Sequence, residues 1–244
     1  MTVFDVRRTS PELAAARLQT AVLPIGSIEQ HGRALPLATD WLEADAVARS
    51  IAERLGDAYL LPALPYSCSQ IHADFPGTVS LEAATLDRVV KDLVGCLFEQ
   101  SFRRVLLVNF HGGNFVLRST VRDLNHFNSQ AKVVMVWPWL TAAAELADIL
   151  DTTDEVHAGE LEVSLVLAIE PDLVRTSTPA DDFVPGVTHE HMDYRRLRDV
   201  SPSGVWGRPS HGTRDKGRLA IAAMAERVAT HVEAVFTSLG LPQC

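Results

Sequence analysis

Residues 103–114 read RRVLLVNFHGGN. Val105, Leu106, Leu107 and Val108 are apolar without alternation, so a strand here is covered on both faces. A parallel strand sandwiched between two helical layers meets that condition. The strand runs straight into His111-Gly112-Gly113-Asn114, a turn signal, and FVLRSTVRDLNHFN follows with helical spacing.

The same unit recurs on either side. TAVLPIGSI (20–28) reads as a buried strand. TDWLEADAVARSIAERLG reads as a helix that begins near Thr39 or Asp40 and stops at Gly56. AYLLPALPY reads as the next strand, SCSQIHADFPGT as a loop, and SLEAATLDRVVKDLVGCLFEQ as a helix. Leu86, Val89, Val90, Leu93 and Leu97 share one face of that helix. AKVVMVW (131–137) is a further strand, and WLTAAAELADIL and AGELEVSLVLAI are helices. Residues 180–210 read as largely irregular, and GRLAIAAMAERVATHVEAVFTSL closes the chain as a long helix. Strand, loop and helix in repetition predict an α/β fold with a mostly parallel sheet and helices on both faces. No repeat, low-complexity tract or linker interrupts the pattern, so residues 1–244 read as a single domain.

Composition excludes several function classes. A formal net charge of −9 leaves no basic surplus for phosphate backbones, so no nucleic-acid partner is expected. No apolar run approaches the roughly 18 residues of a membrane span. The amino-terminal MTVFDVRRTSPEL lacks the apolar core of a secretory signal. Cys68, Cys96 and Cys244 are scattered without a CxxC, which fits a reducing compartment. The expectation is a cytoplasmic protein with a small-molecule substrate and no membrane partner.

Two loops leave predicted strands at their carboxyl ends, SIEQHG and HGGN, where open α/β sheets bind ligands. Glu29 and His31 therefore share an edge with His111, and Asp40 can fold back from the start of the next helix. A third cluster, DEVHAGELEVS (154–164), holds His157, Glu160 and Glu162. His157 and Glu162 project within about 140° of each other on a helix and can border one pocket. The candidate ligand set is Glu29, His31, Asp40, His111 and a carboxylate from this third cluster. Imidazole and carboxylate without thiolate suit zinc, manganese or iron. Five such ligands exceed the three that one catalytic zinc usually takes, and suit two divalent ions roughly 3.5–4 Å apart. Two divalent ions, three carboxylates and one hydroxide also sum to neutrality. His72, in the long loop, is a candidate substrate contact. The H-x-H of THEHM (188–192) reads as solvated loop, and His126 and His231 as helix surface.

With these residues assembled, the sequence resembles the creatininase (creatinine amidohydrolase) family. LPIGSIEQHGRALPLATD, VNFHGGN and HAGELEVS are similar to its three motifs, and DFPGT and SPSGVWGRP to further family segments, in the right order. The resemblance implies a three-layer α/β/α fold, a binuclear metal centre, hydrolysis of an unusual C–N bond, and a homo-oligomer, often a hexamer. It places ligand roles on Glu29, His31, Asp40 as the bridging group, and His111. Creatininase itself has a glutamate ligand where this chain has Gly113, so the chain looks closer to the HGGN-type members. These include a formylaminopyrimidine deformylase and the mycofactocin precursor peptide peptidase. The fifth ligand then falls on Glu162, with Glu160 as the fallback and as a catalytic candidate beside His157. Family members usually read Gly-Pro-His-Leu-Pro where this chain has Gly32-Arg33-Ala34-Leu35-Pro36, which makes Arg33 a candidate for an anionic substrate group.

The function expected is hydrolysis of an amide or cyclic amide by a water ionised between two cations. His157 shuttles the proton, a task suited to an unperturbed imidazole. Gly112, Gly113 and Asn114 contact the substrate, the glycine amides holding the oxyanion. A peptide peptidase of the mycofactocin-precursor type is the alternative within the family. A nucleotide- or phosphate-binding protein built on the HGGN turn is the alternative outside it, weakened by the lack of G-x-G-x-x-G or a P-loop. No G-x-S-x-G elbow supports a serine hydrolase.

Overall fold

The computed structural model describes residues 3–176 and 181–241. Cys244, the first two residues of the amino-terminal segment and residue 180 of the irregular stretch lie outside the described residues. The strands are β1 (Phe4–Asp5), β2 (Thr20–Ile25), β3 (Ala58–Leu60), β4 (Arg104–Asn109) and β5 (Lys132–Val136). The helices are α1 (Ser10–Ala16), α2 (Thr39–Leu55), α3 (Ala83–Glu99), α4 (Val116–His126), α5 (Pro138–Thr141), α6 (Ala143–Ala147), α7 (Glu160–Ile169), α8 (Leu197–Val200) and α9 (Arg214–Ser238). None is long and apolar enough to cross a membrane.

The five strands form one parallel sheet in the order β1-β3-β2-β4-β5. Period-two alternation sends the two sets of strand side chains into different cores. Val22, Leu106, Val108, Val134 and Val136 pack with α2, α7 and α9. Ala21, Leu23, Ile25, Val105, Leu107 and Val133 pack with α3 and α4 on the opposite face. The expected three-layer α/β/α arrangement is thus present, and the apolar runs of β2 and β4 are buried along their whole length.

Topology decides where a ligand can sit. From β2 the chain crosses to β3 on one side, then returns through α3 to β4 on the other side of β2. The strand order reverses between β2 and β4, and such a switch point opens a crevice beyond the carboxyl ends of the two strands. They end level: Thr20 pairs with Arg104 and Ile25 with Asn109. The next amide, Phe110 N–H, donates to Ile25 O at 2.8 Å. The loops from Gly26 and Phe110 therefore leave side by side.

Several elements differ from expectation. AYLLPALPY keeps only three residues of strand, because Pro62 and Pro65 have no N–H for the ladder. The segment stays beside β2 through Leu61 N–H to Val22 O and Leu64 N–H to Pro24 O, both 2.9 Å. WLTAAAELADIL splits into α5 and α6 at Ala142, whose φ of −105° leaves the helical region. The irregular stretch before α9 contains short helical turns, including α8. β1 and α1 were not anticipated: a two-residue strand is too short to carry a period, and α1 buries none of its side chains.

Gly26 fixes the start of α2 against the end of β2. A Cβ there would lie 2.6 Å from Asp40 O and from the Cα and N of Trp41, all backbone. Gly26→Ala should therefore destabilise the protein by about 1–3 kcal/mol, as overpacking against unyielding atoms does. A thermal melt unchanged by that substitution would contradict this placement of α2.

Candidate metal centre

The loop after β2 turns Glu29 and His31 back under the strand ends. Glu29 N–H donates to Leu37 O at 3.0 Å, and the Ser27 hydroxyl donates to Glu29 Oε2 at 2.9 Å. Asp40, in the first turn of α2, faces the same space. Its Oδ1 lies 2.9 Å from His31 Nε2 and its Oδ2 lies 3.0 Å from His111 Nδ1. His111 Nδ1 is also 3.2 Å from Glu29 Oε2, and His31 Nε2 is 3.8 Å from Glu162 Oε1. One carboxylate thus stands between two imidazoles, with a further carboxylate beside each ring. Glu29, His31, Asp40 and His111 are all buried. Glu29, Asp40 and His111 border a cavity of about 600 Å³, which Glu43, His157 and Glu162 also line, and His31 stands behind Asp40.

Hydrogen bonding at the far side of each ring selects its tautomer. His111 Nε2 donates to Cys68 O at 2.7 Å, and His31 Nδ1 donates to Glu29 O at 3.1 Å. Both rings turn their remaining nitrogen to Asp40, where it donates to the carboxylate when protonated and becomes free for a cation once that proton leaves. Metal-ligating histidines are held in this way, with the second ring nitrogen on a carbonyl that fixes orientation and raises basicity. Gly113 is required for it: a Cβ there would lie 2.5 Å from His111 Nε2 and 2.3 Å from Cys68 O.

His157 lies over this group, its ring centroid 4.3 Å from that of His31 and 4.5 Å from that of His72. A two-way backbone bridge with Trp206 holds it, at 3.0 and 2.8 Å. Its neighbour Ala158 has a φ of +54°, a strained value for a residue with a Cβ. Gln30 organises the remaining nitrogens. Its side-chain amide donates to His72 Nδ1 at 3.0 Å and to Gly204 O at 3.1 Å. His157 Nε2 donates to the Gln30 backbone carbonyl at 2.7 Å. His72 Nε2 is then a donor to Glu29 Oε1 at 3.2 Å, while His157 Nδ1 is an open acceptor 3.7 Å from the same oxygen.

Electrostatics show what the cluster lacks. Burial alone would lower His31 and His111. The carboxylates beside them win: Asp40, with Glu162 and Glu29, raises His31 to about 9, and Glu29 with Asp40 raises His111 well above its ordinary value. Burial would raise Glu29, but His111 and His72 hold it well below the ordinary range. Burial pushes Glu162 up to about 7, and pushes Glu43 well up together with Glu162 and Asp40. Positive charge is wanted beside the carboxylates, and without a cation only protons on the rings supply it. Divalent cations replacing those protons, on the ring nitrogens and carboxylate oxygens, would supply it better, so the residues present fit such ions.

Not every expected site residue arrives here. Glu160 turns away from the cavity: it accepts from the Asp151 and Thr152 amides at 2.9–3.0 Å and pairs with Lys216. Arg33 is exposed on the outside of its loop and does not line the cavity. Asn114 is buried behind the turn, where its Oδ1 accepts from Cys68 N–H at 3.1 Å and its amide donates to Asn109 Oδ1 at 2.8 Å. It braces the carbonyl that orients His111. Gly112 and Gly113 do line the cavity. His157 is not the unperturbed imidazole expected, because burial, with His31 and His72, holds it well below its ordinary value. His72 is lowered to about 4, chiefly by burial. Sequence reading missed Glu43 and Gln30, and it left His189, which lines the cavity, as solvated loop. For Glu43 the signal was present, since it follows Asp40 by one turn of the same helix.

The family model for creatinine amidohydrolase matches residues 7–232. The mycofactocin precursor peptide peptidase of Mycolicibacterium smegmatis is 33% identical over 87% of this chain and 83% of its own length. Creatinine amidohydrolase of Pseudomonas putida is 30% identical over 88% of this chain and 89% of its own. A crystal structure of creatinine amidohydrolase matches with a TM-score of 0.83 and 26% identity over 100% of both chains. A manganese creatininase and a Zn–Zn type mutant creatininase match with TM-scores of 0.81 and 0.82 and identities of 27% and 26%. They cover 96% and 97% of this chain and 99% of each of theirs. Fold, cluster and relatives together define a metal-dependent hydrolase of C–N bonds. The chain belongs to the creatinine amidohydrolase (creatininase) family.

The titration pattern gives a signed expectation. Protonated His31 stabilises the metal-free fold fully below pH 6.5, and that stability is lost as pH rises through about 9. Ionising Glu162, at about 7, and Glu43 costs stability in the same direction. His72 and His157 stay neutral throughout this window. Chelated protein should therefore lose thermal stability between pH 6.5 and 9, and zinc or manganese should restore most at the alkaline end. Parallel melting curves with and without metal would contradict the assignment.

Proposed function

We propose that the chain is a binuclear amidohydrolase that cleaves an amide or cyclic-amide C–N bond in a small molecule. Glu29, Asp40 and His111 would hold one ion, and His31, Asp40 and Glu162 the other, with Asp40 shared. The observation that carries this reading is the placement of the two Asp40 oxygens, one against a ring nitrogen of each histidine. Zinc, manganese and iron all suit these oxygen and nitrogen donors. When bound, two such ions would polarise the scissile carbonyl and acidify a water in the cavity.

The chain's own residues supply positioning and proton transfer. His157, neutral and with its Nε2 committed to the Gln30 carbonyl, offers Nδ1 as the proton acceptor. Having taken a proton from the attacking water, it can pass that proton to the leaving nitrogen. His72 and Ser27 hold the Glu29 carboxylate in place from opposite oxygens. Gly112 and Gly113 line the cavity, and their amides would be the donors to an oxyanion formed there. A peptide-derived substrate is the second reading, favoured by a cavity of about 600 Å³ with Trp137, Trp139 and Leu140 on its wall, within the size range of drug-sized ligands.

Metal analysis beside turnover tests the assignment. Asp40→Asn should remove both ions and abolish hydrolysis. His157→Ala should keep both ions while turnover falls by about 10²–10⁴-fold. Loss of metal from the His157 variant would make that residue a ligand and overturn its role as proton carrier.

A further inference from the structure

Glu43 is a carboxylate for which the ligand set above has no use. It projects from α2 one turn after Asp40, is 1% exposed and lines the cavity. Among the described residues no hydrogen-bond donor reaches its buried Oε1. A buried carboxylate oxygen with nothing to accept costs the fold free energy. Asp40, Glu43 and Glu162 each bring an oxygen into a group whose members all lie within 4.8 Å of one another, so their charges also repel. The imidazole nearest to two of them, His31, has its Nε2 already directed at Asp40 and Glu162. A proton on His31 serves Asp40 and Glu162 but leaves Glu43 Oε1 without a donor among the described residues, whereas a single divalent ion among the three oxygens would serve all three.

We propose that Glu43 is a direct ligand of the ion held by His31, Asp40 and Glu162. This rests on the binuclear reading and makes its two positions unequal. One position has a single imidazole and three carboxylates. The other draws on His111, Glu29 and the shared Asp40. Carboxylate-rich donors suit hard, oxygen-preferring cations such as manganese, while imidazole suits zinc equally well. The Glu43 position should therefore take manganese in preference to zinc more than its neighbour does.

Metal titration of the wild-type protein and of Glu43→Gln, each first stripped by chelator, tests this. Wild type should bind two manganese ions. Glu43→Gln should keep one at near wild-type affinity and lose the other, or bind it more than about 100-fold more weakly. That exceeds the roughly 10–100-fold that losing a mere supporting partner costs. Two ions in the variant with a change of 100-fold or less would overturn the proposal. Fewer than two ions in wild type would instead remove the binuclear reading itself, a distinguishable failure. Should Glu43→Gln not fold, zinc-loaded crystals of the wild type decide the matter. A Glu43 oxygen at about 2.0–2.2 Å from zinc supports direct ligation, and one beyond hydrogen-bond distance overturns it.

Discussion

The structure depends on the Asp40 carboxylate being held, out of water, between two imidazoles. Each oxygen faces one ring nitrogen, and each ring is fixed from behind by a backbone carbonyl. Gathering four carboxylates around one crevice, Glu29, Asp40 and Glu43 buried and Glu162 half-buried, opposes folding unless positive charge balances them. The metal-free fold balances them with protons on His31 and His111. The arrangement is a site held open for cations at a cost that cations would offset.

Everything that supports it follows from the parallel sheet. Level strand ends bring two loops together at the switch point between β2 and β4. Gly26 lets α2 start close enough for Asp40 to reach that point, and Gly113 lets the Cys68 carbonyl reach His111. Asn114 and Gln30 touch the site from behind, clamping the segments that carry its histidines. Their work is geometric, and the chemistry sits one layer further in.

How much of this was legible in the sequence depended on locality. Glu29, His31 and His111 sit in short runs that end apolar strands, so period and turn chemistry located them, and Asp40 followed from the helix start. The choice between Glu160 and Glu162 could not be made from periodicity, because it needs the phase of α7. With Gly159 as the cap, Glu160 turns to the Asp151 and Thr152 amides, and Glu162, about 200° further round, enters the crevice. Glu43 had its place one turn after Asp40 as a signal, but only the packing of α7 across α2 brings Glu162 to it. Arg33 was misplaced for the converse reason: a charged residue in a functional loop need not point inward. His157 kept its position but not its expected basicity, because burial between two other histidines is a tertiary fact.

Membership of the creatininase family and a buried carboxylate–imidazole cluster set the chemistry as metal-dependent C–N hydrolysis, while the walls of the cavity set what enters it. The central claim concerns the ions and their shared carboxylate. Anomalous diffraction from wild-type crystals equilibrated with zinc tests it most directly. The account predicts two peaks flanking Asp40, one against each of its oxygens, the first also touching His111 and the second His31. A single peak, or peaks away from Asp40 with His31 and His111 still hydrogen-bonded to its carboxylate, would contradict it.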